Sequence, residues 1–231
     1  MEQKWPSHLV IVRHGESELN KAKDAAKRGK EVHSFGSGLR DMDTNLTQLG
    51  HRQALAVGEH LAKHHRFDAI FSSPYRRTME TTKEITSKMA LKPPLVVEER
   101  IREIEFGILD GLMPKGIKAK FPEEDARRER EGKYWYRPPG GESRPDVALR
   151  VQSFLGTLTR DYREKSVLIV CHSVVVLIFR RLLERWGEFD YLKVDQEDDV
   201  KNCSLTTYDY DRGTNKLVLN GYNTICYKDA E

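Results

Sequence analysis

Histidine and arginine side chains follow three short apolar segments of this sequence. In chain order they are Arg13 and His14 after residues 9–12, Arg76 and Arg77 shortly after 69–71, and His172 after 167–170. Arginine presents a planar, permanently charged fork that matches phosphate oxygens. Histidine serves as a nucleophile or an acid–base group near neutral pH. One such residue after a strand is usually structural, but their joint occurrence predicts a pocket for a phosphoryl group.

The elements that must position these side chains are strands alternating with helices. The segments 9–12, 69–71 and 167–170 are short and rich in β-branched or aromatic residues, which is typical of buried parallel strands. Apolar periodicity predicts helices over residues 47–64, 77–89, 146–161 and 173–186. This alternation predicts an α/β fold, a three-layer sandwich with a mostly parallel central sheet flanked by helices. Ligands of such sheets bind at the edge where the strands end.

Two polar segments interrupt the alternation. Residues 21–45 show no clean period, and residues 112–145 combine a charged stretch with an aromatic and Pro-Gly-rich one. We expect both to be insertions that lie over the active site. Residues 204–210 and 216–222 alternate like two strands of a hairpin. Because no linker or repeat divides the chain, we expect residues 1–231 to form a single domain.

The amino-acid composition indicates which classes of binding partner and which cellular compartment to expect. The 231 residues carry a formal net charge of only +3, without the clustered basic face of a nucleic-acid binder. The three cysteines are odd in number and form no Cys-x-x-Cys pair, which favours a reducing compartment. We see no signal-peptide segment and no apolar run long enough to span a membrane. We expect a cytoplasmic protein that binds neither nucleic acid nor membrane, with homo-oligomerisation left open.

A metal site is the rival interpretation of the same residues. His14, Glu16, Glu103 and His172 are all of ligand type. However, the sequence contains no His-x-His or His-Glu-x-x-His motif, and arginines at the same edge would repel a divalent cation. A phosphate-binding P-loop motif is also absent. We therefore expect neither a metal nor another cofactor.

Six sequence blocks resemble, in family order, the motifs of the histidine phosphatase superfamily, also called phosphoglycerate mutase-like or branch 1. They are LVIVRHGESELN at 9–20, LTQLG at 46–50 with Gln53 and Ala54, SSPYRR at 72–77 with Thr81, EIEFG at 103–107 with Asp110 and Gly111, GGES at 140–143, and VCH at 170–172. The resemblance covers roughly residues 8–185. It implies a metal-independent enzyme for small phosphorylated metabolites.

The resemblance also implies roles for the residues at the strand ends. His14 would attack phosphorus in line and become phosphohistidine. Arg13, Arg77 rather than Arg76, and a protonated His172 would bind the equatorial oxygens of the phosphoryl group. By analogy with the loss of one oxyanion donor, removing either arginine should lower the rate about 10²- to 10³-fold.

Further residues near these motifs are expected to complete the site. Glu103 would protonate the leaving oxygen and then activate water, which requires that burial raise its pKa. Asn20 would donate a hydrogen bond to the phosphate, and Ser17 and Ser173 are expected to contact the substrate.

The segment after the glutamate block favours a phosphatase over a mutase. Family mutases carry a longer insertion here than the stretch 111–138 of this chain. Residues 121–143 also resemble the bisphosphatase domain of 6-phosphofructo-2-kinase/fructose-2,6-bisphosphatase. By that comparison Arg128 and Lys133 would bind a distal anion of the substrate. The alternative for both is a solvated helix face, because acidic and basic residues intersperse around them.

This chain departs from the bisphosphatase domain at positions of the sugar pocket. It has Pro114 and Arg144 where that domain has tyrosines, and Ser173 and Val176 where it has glutamine and arginine. Stand-alone phosphatases with a Tyr-Arg-x-Pro-x-Gly-Glu-Ser segment are more similar. We therefore predict a stand-alone phosphatase, with mutase or fructose-2,6-bisphosphatase-like activity as the alternatives.

Overall fold

One mixed sheet contains all six strands that the described residues form. The computed structural model describes residues 2–28, 33–35 and 39–227. The strands are β1 (His8–Arg13), β2 (Ala69–Ser72), β3 (Leu95–Val97), β4 (Ser166–Cys171), β5 (Leu205–Asp211) and β6 (Lys216–Thr224). Their spatial order is β3-β2-β4-β1-β5-β6. The three predicted parallel strands and the C-terminal hairpin are confirmed. β3 was missed because it is short and two of its three side chains are exposed.

The register of the central strands places the chemistry-bearing residues side by side. β1 pairs in parallel with β4 so that Arg13 lies opposite Cys171. β2 pairs in parallel with β4 so that Ser72 lies opposite Val170. β5 runs antiparallel to β1. The residues that follow β1, β2 and β4 therefore leave the sheet at one edge, as the strand-end argument predicts.

Eight helices occur in the described part of the chain. They are α1 (Glu18–Lys27), α2 (Gln48–His64), α3 (Arg76–Ser87), α4 (Pro114–Lys120), α5 (Pro122–Trp135), α6 (Arg144–Asp161), α7 (Ser173–Leu183) and α8 (Glu188–Glu197). The four predicted helices correspond to α2, α3, α6 and α7, with ends that differ by at most three residues. No helix of this part is long and apolar enough to cross a bilayer.

Alternating side chains of the strands face two apolar layers. Val10 and Val12 pack in one cluster with residues of α2 and α3, such as Val57 and Ile85. Leu9 and Ile11 pack in the other cluster with residues of α6 and α7. Because successive strand residues point to opposite faces, this alternation requires a helical layer on each side. The predicted three-layer α/β sandwich is confirmed.

The two polar segments contain more regular structure than predicted. The first begins within α1, whose N-terminus is closed by a reciprocal capping box between Ser17 and Asn20. It also contains a 3-10 helix, Asp41–Asp43, while residues 29–32 and 36–38 lie outside the described part. The second segment contains α4 and α5. That these segments are insertions in a single domain stays a prediction.

A close backbone approach fixes the loop after β1 against α2. A Cβ atom at Gly50 would lie 2.1 Å from the carbonyl oxygen of Glu16, and one at Gly15 would lie 2.5 Å from the carbonyl oxygen of Gly50. Glycine at both positions therefore allows the backbone of α2 to pack directly against the loop that begins with His14.

We expect Gly50→Ala to lower the free energy of unfolding by about 1–3 kcal/mol, because its methyl group would collide with backbone. Gly156→Ala is the matched control, since Gly156 is also helical but has open space around its Cβ position. The control should raise stability by about 0.5–1 kcal/mol through helix propensity alone. Urea denaturation measures both, and a stabilised Gly50→Ala variant would contradict the packing.

Candidate active site

A cavity of about 750 Å³ opens at the edge where β1 and β4 end. Eight of the ten predicted site residues line it: Arg13, His14, Ser17, Asn20, Arg77, Glu103, Lys133 and Ser173. His172 lies directly behind it, with its ring centroid 5.2 Å from that of His14. Arg128 does not line this cavity and lies in a neighbouring one. The structure thus brings together all five residues predicted to be catalytic.

His14 is held in one tautomer by its neighbours. It is 3% exposed, and its Nδ1 lies 2.7 Å from the carbonyl oxygen of Gly15. Because a carbonyl only accepts, Nδ1 carries the proton and Nε2 keeps the lone pair. The Nε of Arg77 donates to that Nε2 at 3.1 Å. Burial and the charges of Arg77 and Arg13 lower the pKa of His14 well below its usual value. His14 is therefore a neutral imidazole with its lone pair in the site.

Arg77 is the best-anchored cation of the site. It is 3% exposed and comes from the first turn of α3. Its Nη1 donates to the carbonyl oxygen of Asp41 at 2.5 Å, and its Nη2 pairs with the Asp41 carboxylate at 3.0 Å. Sequence reasoning missed Asp41, which lies in an irregular segment with no motif around it. The buried pair fixes the guanidinium beside His14.

Arg13 and His172 each present a buried polar atom without a hydrogen-bond partner among the described residues. These atoms are the Nε of Arg13 and the Nδ1 of His172. The other ring nitrogen of His172, Nε2, lies 2.8 Å from the hydroxyl of Ser73. Burial and nearby Arg77 lower the pKa of His172 well below its usual value. The positive charge expected on His172 is therefore disfavoured in this arrangement and needs an anion beside it.

Glu103 has the properties expected of a general acid. It is 8% exposed, and one carboxylate oxygen accepts from the backbone N–H of Ile104 at 3.0 Å. Burial raises the pKa of Glu103, while the charge of Arg77 opposes the rise. The direction agrees with the prediction that burial keeps this carboxyl group protonated to higher pH.

Asn20 and Ser17 serve the start of α1 as well as the cavity. The Oδ1 of Asn20 accepts from the backbone N–H of Ser17 at 3.1 Å and from the Nδ2 of Asn202 at 3.1 Å. Asn202 also donates to the carbonyl oxygen of His14 at 3.0 Å. The oxygen of Asn20 is therefore occupied, and its amide nitrogen is the group that can donate a hydrogen bond to a ligand.

The residues predicted to bind a distal anion line different cavities, Lys133 the catalytic one and Arg128 the neighbouring one, and that role stays a prediction. Lys133 forms an ion pair with Asp195, so its charge is compensated. Ser173 lines the cavity at the start of α7. Sequence reasoning did not identify Lys23 and Asn202 as lining residues, and it noted Arg144 only as a departure from the sugar pocket of a related domain. Within residues 2–28, 33–35 and 39–227, no group of three or more His, Cys, Asp or Glu side chains is arranged to hold a metal ion.

We expect Asp41→Asn to lower the free energy of unfolding by about 3 kcal/mol, because Arg77 would remain buried without its counter-charge. Asp43→Asn is the control, since Asp43 belongs to the same 3-10 helix but does not line the cavity. The control should change stability by less than about 0.5 kcal/mol. Equal losses in the two variants, measured by urea denaturation, would contradict the role given to the Arg77–Asp41 pair.

Comparisons with known proteins agree with this geometry. The model of the histidine phosphatase superfamily (branch 1) matches residues 9–223. Phosphoserine phosphatase 1 of Hydrogenobacter thermophilus is 34% identical over 166 residues, which cover 72% of this chain and 71% of that protein. A 2,3-bisphosphoglycerate-dependent phosphoglycerate mutase of Methylobacterium radiotolerans is 33% identical over 169 residues, 71% of this chain and 73% of that protein.

A solved structure agrees over nearly the whole chain. A mycobacterial glucosyl-3-phosphoglycerate phosphatase complexed with VO3 superposes with a TM-score of 0.71 at 26% identity, covering 94% of this chain and 99% of that one. The family match, the relatives and the shared fold confirm the family and the enzyme class predicted from the motifs. The chain belongs to the histidine phosphatase superfamily, branch 1.

Proposed function

We propose that this protein is a metal-independent phosphatase that hydrolyses small-molecule phosphate monoesters through a phosphohistidine on His14. One observation carries the proposal. The neutral imidazole of His14 has its proton fixed on Nδ1 by Gly15 and its lone pair on Nε2 beside Arg77. This is the state in which a histidine acts as a nucleophile.

Substrate binding would release the nucleophile. The Nε2 lone pair of His14 accepts a hydrogen bond from Arg77. When phosphate oxygens bind the Arg77 guanidinium, which matches them as a fork, that donor turns to the oxygens and Nε2 is freed. The Nε of Arg13 and the Nδ1 of His172 are buried donors or acceptors without partners in the described residues. The dianion would raise the pKa of His172 and let it donate as well.

The reaction then proceeds in two displacements at phosphorus. His14 Nε2 bonds to phosphorus while the ester P–O bond breaks, and Glu103 gives its proton to the leaving oxygen. Glu103, now a carboxylate, takes a proton from water as the water oxygen bonds to phosphorus. The N–P bond breaks, and inorganic phosphate and neutral His14 result. Phosphoryl transfer depends mainly on positioning and charge stabilisation, which two arginines and two histidines supply here.

The substrate is a small phosphorylated metabolite under this proposal, and hydrolysis is the favoured outcome. The names of the two phosphatases reported above indicate that those proteins act on small phosphate esters. The mutase relative makes phosphoglycerate interconversion the second candidate. Interconversion of phosphoglycerates much faster than release of phosphate would establish the mutase. A cytoplasmic location, suggested by three free cysteines, is part of the same proposal.

The direct test is turnover of p-nitrophenyl phosphate without added metal. We expect hydrolysis that a chelator leaves unchanged and that vanadate inhibits. His14→Ala should abolish it, because the substitution removes the imidazole nitrogen that attacks phosphorus. His64→Ala, at the exposed last residue of α2 away from the cavity, is the control and should retain full activity. Full activity in His14→Ala, or complete loss in the presence of chelator, would contradict the proposal.

The pH profile of kcat/KM tests the roles of Glu103 and His14. His14 must be neutral, so activity rises with pH through its lowered pKa, below the usual value of 6.5. Glu103 must be protonated, so activity on an alkyl phosphate falls as pH rises through its raised pKa, above 4.5.

Glu103→Gln should remove the falling limb of that profile and lower alkyl phosphate hydrolysis about 10²- to 10⁴-fold. The kcat/KM for an aryl phosphate should fall much less, because this quantity reports the steps up to release of the leaving group, and nitrophenolate leaves with little need of a proton. An equal loss on both substrates would argue against Glu103 as the acid.

A further inference from the structure

A second cavity adjoins the catalytic one and shares part of its wall. Its volume is about 190 Å³. The residues that line both cavities are Leu19, Lys23, Asp41, Phe106 and Arg144. The two cavities are therefore adjacent, and a side chain of the shared wall can contact a small molecule whose phosphoryl group lies at His14.

Arg144 is the buried cation at the junction. It is only 9% exposed, yet it takes part in no ion pair among the described residues, and its buried Nε has no hydrogen-bond partner there. Its polar neighbour is the neutral hydroxyl of Tyr191, because burial raises the pKa of that hydroxyl and the charge of Arg144 offsets only part of the rise. Leaving a buried guanidinium without an anion is costly.

The backbone around Arg144 increases that cost. It is the first residue of α6, directly after the capping residue Ser143. A cation at a helix N-terminus meets the positive end of the helix dipole, where an anion is favoured. An anionic ligand bound by the guanidinium would compensate both the burial and the dipole.

The acidic groups of the second cavity do not supply this anion. Asp41 is paired with Arg77, and Glu142 is paired with Arg102 and Arg150. The carboxylate of Asp110, which also lines this cavity, accepts from the backbone N–H of Asp41 at 3.3 Å and forms no ion pair with Arg144. The other cations that line the second cavity are Lys23 and Arg128, which also form no ion pair in the described part of the chain. Among the described residues, the second cavity therefore carries an excess of positive charge, with three cations in no ion pair against the one such carboxylate of Asp110, and it is lined in part by apolar side chains.

We propose that Arg144 binds a second oxyanion of the substrate, a carboxylate or another phosphoryl group, while the reacting phosphoryl group lies at His14. This rests on the proposed function for the position of the reacting group. It defines the substrates as short phosphate monoesters with an additional negative charge at the far end. Arg144 is a specificity residue in this account, because it touches the substrate but not the reacting atoms.

Two pairs of phosphate esters that differ only in the second anion test this assignment. Glycerol 3-phosphate and 3-phosphoglycerate differ by a carboxylate, and the monophosphate and bisphosphate of propane-1,3-diol differ by a phosphoryl group. We expect the wild-type protein to prefer the charged member of at least one pair by about 10- to 100-fold in kcat/KM, the range for a hydrogen-bonded ion pair. Which pair shows the preference identifies the oxyanion.

Arg144→Met should remove this preference, and its kcat/KM for the charged member should fall about 10- to 100-fold more than its kcat/KM for p-nitrophenyl phosphate, since that ester has no second anion. Arg144→Lys should keep part of the preference. Arg130→Met, an exposed arginine of α5, is the control and should change neither quantity.

Two results would overturn the assignment. One is a wild-type protein without preference in either pair. The other is an Arg144→Met variant that loses activity equally on both members and on p-nitrophenyl phosphate, which would indicate a structural role. Failure of the proposed function is distinguishable, because p-nitrophenyl phosphate would then not be hydrolysed at all. Calorimetric Kd values for the same pairs, measured on wild type and Arg144→Met, test the assignment without turnover.

Discussion

The hydrogen bond from Arg77 to the Nε2 of His14 is the interaction on which the rest of the site depends. It places a permanent positive charge 3.1 Å from the lone pair that must attack phosphorus. Burial and the proximity of this charge together lower the pKa of His14 and keep the imidazole neutral. The same guanidinium is compensated by Asp41, without which a buried cation would be unstable. Anion binding, nucleophile state and stability are therefore coupled through one side chain.

The fold makes this coupling possible by controlling where three strands end. The parallel register of β1 with β4 puts His14 and His172 at the same level of the sheet, and β2 leads into the turn before α3, which carries Arg77. The close packing of Gly15 against Gly50 then holds the loop after β1 on α2. A shift of the nucleophile would need these backbones to separate, so the site is rigid before substrate binds, as positional catalysis requires.

The sequence was sufficient for the parts of the molecule that repeat a simple pattern. Apolar strands and amphipathic helices revealed the three layers, and the residues after the strands revealed His14, Arg77 and His172. Ion pairs between residues that are distant in sequence could not be predicted in the same way. Asp41 neutralises Arg77 from an irregular segment, and Asp195 neutralises Lys133 from a helix more than sixty positions away. Neither pairing leaves a periodic or local signal.

The protonation state and the charge compensation of individual side chains were equally hard to predict from the sequence. The resemblance to the family implied a protonated His172, whereas burial and Arg77 push the pKa of that imidazole downwards. Arg144 appeared only as a departure from a related pocket, and its burial without a counter-ion emerged from the packing of α6. Charge that depends on desolvation requires the three-dimensional surroundings of each group.

Trapping the phosphoenzyme tests the central claim most directly. The protein would be mixed with a ³²P-labelled phosphate ester, quenched in alkali during turnover, digested and mapped by mass spectrometry. We expect an acid-labile, alkali-stable phosphoryl group on the peptide that contains His14. It should be bound to Nε2 of that residue. Label on a different residue, or rapid hydrolysis with no label on His14 at any quench time, would contradict it.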